Sequence, residues 1–276
     1  MSSAWEDALD FVRGTVSGPP LDPSLAVTLH FHPDRMVGDT PLLGRLASDP
    51  VYRSQFETGT SNGGLTGYPG GDRWHWEDRM FGGAYNSAPA AERPKYGSLN
   101  YRHRSIGGSA RFGSSHFRLA QSELGRTTFC YPDSSTLPSH FGTAEHIPLI
   151  QMAEKGTFDV LDDHIEAHVH GPLRLGEHLE SLVLDPSYRG TLVEDAARTL
   201  PIQLAWHEGF RLHVDELQQH VEYRGAEVVA AGLSIAVDGW LDPRIVGEAA
   251  KQQRYDGQTL KRVWHCVARF GYRWGK

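Results

Sequence analysis

The stretch HIEAHVHG carries the densest chemistry in this 276-residue chain. Read as a strand with alternating side chains, it places Glu166, His168 and His170 on one face and turns Ile165, Ala167 and Val169 toward the core. A carboxylate beside two imidazoles can serve as a general base, stabilise a developing cation or complete a metal site. Burying all three requires compensating hydrogen bonds. The competing arrangement is an exposed polar face of a sheet.

Four further segments offer functional groups. In LHFHPDR, an HxH pair on a strand sends His30 and His32 the same way, with Asp34 and Arg35 following. Two imidazoles and a carboxylate suit a divalent metal, whereas a single imidazole can position a ligand or satisfy neighbouring backbone groups. In YRSQFETGTSNGG, the side chains of Gln55, Glu57, Thr58, Ser61 and Asn62 lie beside glycine amides. Such a set can hold the polar parts of a ligand, or cap helices and fill turns. Small residues flank Tyr85 and Tyr96 in FGGAY and RPKYGSLN. Either ring can stack on a flat ligand, or anchor its loop to the core. Arginines and histidines cluster in YRHRSIGGSARFGSSHFR, Arg111 and the Ser114 strand among them. That patch can bind phosphates on a chain of formal net charge -7, or form a solvated strand face.

Several chemistries find no support. There is no GxxxxGK loop and no GxGxxG unit between strand and helix, which argues against P-loop and Rossmann nucleotide sites. Ser114 and Ser115 do not sit in a GxSxG elbow, and neither cysteine has the context of a nucleophile. Cys130 and Cys266 match no CxxC pattern, so buried thiols are expected rather than a zinc ribbon or a disulfide framework.

The elements that must position these residues follow from periodicity. Residues 1 to 14 carry Trp5, Leu9, Phe11 and Val12 at amphipathic spacing, which predicts a helix ended by SGPPLDP. LAVTLHF predicts a strand that delivers His30 and His32. Between residues 55 and 113 regular periodicity is lost while glycines and aromatics crowd together. This predicts long ordered loops around a ligand. Strands are expected over 110–120 and 126–132, a helix over 147–156, a strand over 163–173, then strand, helix and strand to about residue 213. Leu260, Val263, Trp264, Val267 and Phe270 predict a docked C-terminal helix.

The fold class expected is therefore α+β, with a mixed or mainly antiparallel sheet, long loops rich in glycine and aromatics, and flanking helices. Residues 1–20 form an N-terminal helical segment and 21–171 the motif-bearing core. Residues 172–276 form an α+β subdomain packed on it. With 39% hydrophobic and 22% charged residues the chain is too apolar for disorder, and no apolar run approaches the roughly 20 residues needed to cross a bilayer. The acidic, amphipathic start does not resemble a secretory signal, so a cytoplasmic protein is expected.

Taken together, LHFHPDR, SQFETGTSNGG, FGGAY, RPKYGSLN, RFGSSHFRL, RTTF and IEAHVHGP resemble an uncharacterised family of mostly bacterial proteins, in order from about residue 25 to Trp264 and His265. Over roughly 25–170 the order of His30 or Arg35, then Tyr96 and the Ser114 strand, then Glu166 is also similar to ADP-ribosyltransferases. That second resemblance implies an ADP-ribosyltransferase-like fold and NAD as substrate, cleaved at its nicotinamide–ribose bond by a transferase or glycohydrolase. The acceptor would be a protein, a nucleic acid, a small molecule or water. Glu166, Tyr96 and His30 would be catalytic. His32, Arg35, Gln55, Thr58, Ser61, Asn62, Tyr85, Arg111 and Ser114 would hold NAD. The alternatives are a metal-dependent hydrolase using His30, His32, His168 and His170, and a non-enzymatic module that binds a ligand or partner.

Overall fold

The computed structural model describes residues 2–59 and 65–274, and the expectations for Ser61 and Asn62 lie outside them. Among the described residues eight strands form one sheet: β1 (Val27–Phe31), β2 (Lys95–Leu99), β3 (Ser115–Leu119), β4 (Thr127–Tyr131), β5 (His140–Thr143), β6 (Ile165–Val169), β7 (Leu179–Leu184) and β8 (Gln203–Trp206). Their order is β8-β7-β3-β1-β2-β6-β4-β5. Only β7 and β8 are parallel, so the fold is α+β with a large, mostly antiparallel mixed sheet.

Alternation along the strands splits the sheet into two unlike faces. Val27, Leu29, Phe31, Leu99, Phe117, Phe129, Ile165, Ala167 and Val169 build the main hydrophobic core on one side. Thr28, His30, Ser98, His116, Thr128, Glu166 and His168 occupy the other face and are also buried. The exposed polar face that the sequence left open is therefore not what forms. Helices and loops cover these residues, and hydrogen bonds replace the water of most of them, His116 Nδ1 being without such a partner.

Helix α1 (Ala4–Arg13) begins at a capping box of Ser3 and Glu6, as the amphipathic start predicts. Its Ala8 and Val12 pack with Trp76, Met80 and Phe81. A short helix α2 (Gln55–Thr58) and the nine-residue α3 (Asp72–Met80) occupy the segment expected to be irregular, which corrects that reading. The stripe that α3 buries is Arg73, Trp76, Glu77 and Met80. Two of the four are charged, so an apolar repeat is not visible in the sequence even though the i, i+3, i+4, i+7 spacing is present.

The boundary expected at residue 172 needs a similar correction, because β7 and β8 belong to the main sheet. A second core instead gathers residues from Phe210 to Ala268, built largely on α4 (Ala226–Ile235), α5 (Pro243–Lys251) and α6 (Gly257–Phe270). Ile106, Ala110 and Leu161 join it from the sheet side, and Trp264 Nε1 of α6 donates to the Ala110 carbonyl at 3.0 Å. Among the described residues no helix is long and apolar enough to cross a membrane.

Candidate active site

The sheet is not continuously bonded. β1 and β2 pair only at Val27↔Leu99 and Thr28↔Ser98. Beyond that point β1 stays paired with β3 through Phe31↔Ser115, and β2 with β6 through Lys95↔Val169. A cavity of about 860 Å³ opens along this seam. Its walls include His30, Tyr96, Ser98 and Glu166 from the polar face, and Phe31, Lys95 and Phe117 from the other. That volume lies toward the upper end of the roughly 300–1,000 Å³ typical of ligand pockets.

The expected site residues divide around this cavity. His30, Arg35, Gln55, Thr58, Tyr96, Arg111 and Glu166 line it. His32 lies instead edge-on to Trp264, with ring centroids 5.1 Å apart. Tyr85 is 1% exposed and its hydroxyl lies 2.6 Å from His170 Nδ1, so its ring has no face toward a ligand. Ser114 is buried, and its carbonyl accepts from His207 Nε2 at 2.7 Å. Glu57 lines the cavity but forms a capping box with Ser54 at the start of α2, one of the two uses its segment allowed.

Glu166 sits at the polar end of the cavity. Its Oε1 accepts from His168 Nε2 at 3.0 Å, and its Oε2 accepts from Ser134 Oγ at 3.0 Å. Arg73 Nη1 donates to the same Ser134 Oγ at 2.6 Å and stands 3.7 Å from Glu166 Oε1. Burial raises the pKa of this carboxyl, but the His168 hydrogen bond, the Arg73 charge and the Ser134 hydroxyl outweigh it and bring the group down to about 2. Glu166 is therefore an oriented anion across the physiological range.

Tyr96 lies beneath the same guanidinium, which is 4.0 Å from its ring centroid. Its hydroxyl donates to Glu77 Oε1 at 2.8 Å, and Arg93 donates to Glu77 Oε2 at 2.5 Å. Burial pushes Glu77 up to about 7 against the pull of Arg93 and Tyr96. Arg73 occupies one face of the Tyr96 ring.

On the opposite wall His30 spends both nitrogens inside the protein. Nδ1 lies 3.2 Å from the Gly113 carbonyl, while Nε2 accepts the Ser109 amide at 3.2 Å and lies 3.2 Å from Thr28 Oγ1. Burial holds its pKa down at about 3, so the ring is neutral. The glycines of SIGGSARFG permit this docking. Gly107 has φ +84°, and a Cβ there would fall 2.5 Å from His30 Nε2, while one at Gly113 would fall 2.3 Å from Phe31 backbone atoms.

The four histidines of the metal alternative do not meet. The nitrogens of His168 face Glu166 and Thr128, those of His170 face Thr128 and Tyr85, and those of His30 are engaged as above. Among the described residues two other sets of ligating side chains converge, Cys130 with Glu166 and His168, and Asp133 with His164 and Glu166. Glu166 belongs to both. Its oxygens already accept from His168, Ser134 and the Cys130 thiol beside Arg73, so its charge is balanced by protein groups. Neither set fits a resident cation well on that account.

Sequence reasoning missed Arg73, Asp133, Ser134 and Lys261, all in the cavity wall. For Arg73 a signal exists in DRWHWEDRM, a charged residue three and four positions before Trp76 and Glu77. For Ser134 and Lys261 there is none, because each reaches the cavity from a distant segment. Seven Lys and Arg and four Asp and Glu line the cavity, a local cationic surplus on a chain of formal net charge -7. The apolar end is aromatic, with Phe31 stacked on Phe117 at 4.7 Å and Tyr52 edge-on to Phe117 at 5.9 Å.

Fold and site together define an α+β protein whose split sheet holds an anionic side chain within a cation-rich cavity. The chain belongs to the family described as "Protein of unknown function (DUF3626)", matched over residues 26–154 and 146–270. Comparison with curated proteins finds no match.

Proposed function

We propose that this protein cleaves the nicotinamide–ribose bond of NAD, as an ADP-ribosyltransferase or NAD glycohydrolase, with Glu166 as the carboxylate that acts at the ribose. The observation that carries the reading is an ionised Glu166, fixed by His168, Ser134 and Arg73 in the wall of a cavity that also holds Tyr96 and the His30 strand. When the C1′–N bond breaks, its electron pair neutralises the pyridinium of the leaving nicotinamide and positive charge develops on the ribose. A preorganised anion in a partly dry site stabilises that charge. Water or an acceptor nucleophile then bonds to C1′ and gives up a proton.

The rest of the cavity suits the same substrate. Its cationic surplus favours a diphosphate, and the Phe31, Phe117 and Tyr52 end offers aromatic surface for a flat ring. The seam between β1 and β2, with the early histidine on one lip and the late glutamate behind the other, supports an ADP-ribosyltransferase-like fold. The hydrolase alternative is less favoured because its four histidines do not converge on one point.

Incubating the purified protein with NAD and measuring released nicotinamide tests this directly. Release that disappears in Glu166→Gln is the expected result. No release with water, protein or nucleic-acid acceptors, together with no heat of NAD binding by calorimetry, removes the proposal.

A further inference from the structure

Behind Glu166 the hydrogen bonds continue. His168 Nδ1 lies 3.2 Å from Thr128 Oγ1, Thr128 Oγ1 lies 2.9 Å from His170 Nε2, and His170 Nδ1 lies 2.6 Å from the Tyr85 hydroxyl. Strand register creates the middle of the series, because Thr128 on β4 is the direct partner of His168 on β6. His168, His170 and Thr128 are 0% exposed and Tyr85 is 1% exposed, so bulk water does not reach any member.

The two ends fix the direction of every bond. The Tyr85 hydroxyl carries one proton, and among the described residues its hydrogen bond is to His170 Nδ1, so Tyr85 donates. His170 then keeps its proton on Nε2 and donates to Thr128. Thr128 donates to His168 Nδ1, and His168 donates from Nε2 to Glu166. The carboxylate at the far end can only accept, which places a proton on His168 Nε2 and agrees with the direction set by Tyr85. Burial pushes His170 well below the ordinary histidine range, consistent with a neutral ring that both donates and accepts.

We propose that Tyr85, His170, Thr128 and His168 are positioning residues, a one-directional relay that sets the tautomer of both imidazoles and thereby holds Glu166 as an oriented acceptor. The kinetic consequence rests on the reading of Glu166 as the carboxylate acting at the ribose. The tautomeric consequence does not.

Imidazole nitrogen NMR on the full chain, labelled with 15N-histidine, separates the two. Wild-type protein at pH 7 should show His168 and His170 both protonated at Nε2 alone. Thr128→Val keeps the shape of the side chain and removes its hydroxyl, Thr128→Ser restores the hydroxyl, and Tyr85→Phe removes the terminal donor. The Val and Phe variants should move the His168 ring resonances. They should also lower kcat for NAD cleavage about 10–100-fold at unchanged KM, the scale seen for groups that orient a ligating histidine. The Ser variant should recover both readouts. An Nδ1-protonated ring in the wild type, or an unmoved His168 in both disrupting variants, overturns the relay whatever the activity. Moved resonances with unchanged kcat overturn the positioning role. The expected tautomers in a wild type that leaves NAD intact would keep the relay and remove the NAD reading.

Discussion

His30 and Glu166 face one cavity from either side of β2, at 7% and 6% exposure, yet their hydrogen bonds have opposite consequences. Around Glu166 the neighbours donate, and each donation favours the charged form. Around His30 both nitrogens bond the 107–113 loop, and burial keeps the ring neutral. Equal burial of polar groups thus serves charge on one wall and architecture on the other. A motif such as HxH says nothing about which use a chain makes of it.

The largest test of this contrast is kinetic. Glu166→Gln preserves size while removing the charge, and should lower NAD cleavage roughly 10²–10³-fold with little change in KM. An activity loss below tenfold would put the developing charge elsewhere. His30→Ala should instead appear mainly as lost stability, about 2–3 kcal/mol from unsatisfied partners in the 107–113 loop, measured by urea denaturation. A fully stable but inactive His30→Ala would show that this wall also takes part in the reaction.

Acid should separate the two walls in smaller steps. The folded-state pKa of His30 lies at about 3, below the ordinary value of 6.5, so protons favour the unfolded chain. Its contribution to stability is intact above 6.5 and falls away as the pH drops toward 3, by about 1 kcal/mol per pH unit. The Glu166 pKa falls from 4.5 to about 2, so its contribution is intact above 4.5 and is lost between there and 2. Urea midpoints from pH 7 to 4 should therefore show wild type and His30→Gln converging below pH 6.5. The difference between wild type and Glu166→Gln should hold steady until about pH 4.5. Parallel curves for His30→Gln would mean that the ring takes up its proton as readily in the native protein as in the unfolded chain.

Much of the scaffold was legible because its periodicities are simple. IEAHV alternates cleanly, so Glu166 and His168 could be assigned to one face, and the helices Ala4–Arg13 and Gly257–Phe270 carry plain apolar stripes. The site was legible only where strands supply it. Strand Lys95–Leu99 contains a lysine and a glycine, and helix Asp72–Met80 turns Arg73 and Glu77 inward, so neither advertises itself by hydropathy. The Tyr85 ring belongs behind the site for a reason no local pattern contains: its partner His170 lies 85 positions further along the chain.

The short pairing of β1 with β2 gives the sheet an edge in its own middle, where backbone groups face a cavity instead of a neighbouring strand. A bound molecule with amide and hydroxyl groups can supply the bonds that an adjacent strand would, and so act as a removable stitch between two half-sheets. Slower amide exchange along Leu29–Phe31 and Lys95–Gly97 with NAD present would reveal that stitch, and exchange unchanged at saturating NAD would show that the halves meet no ligand there.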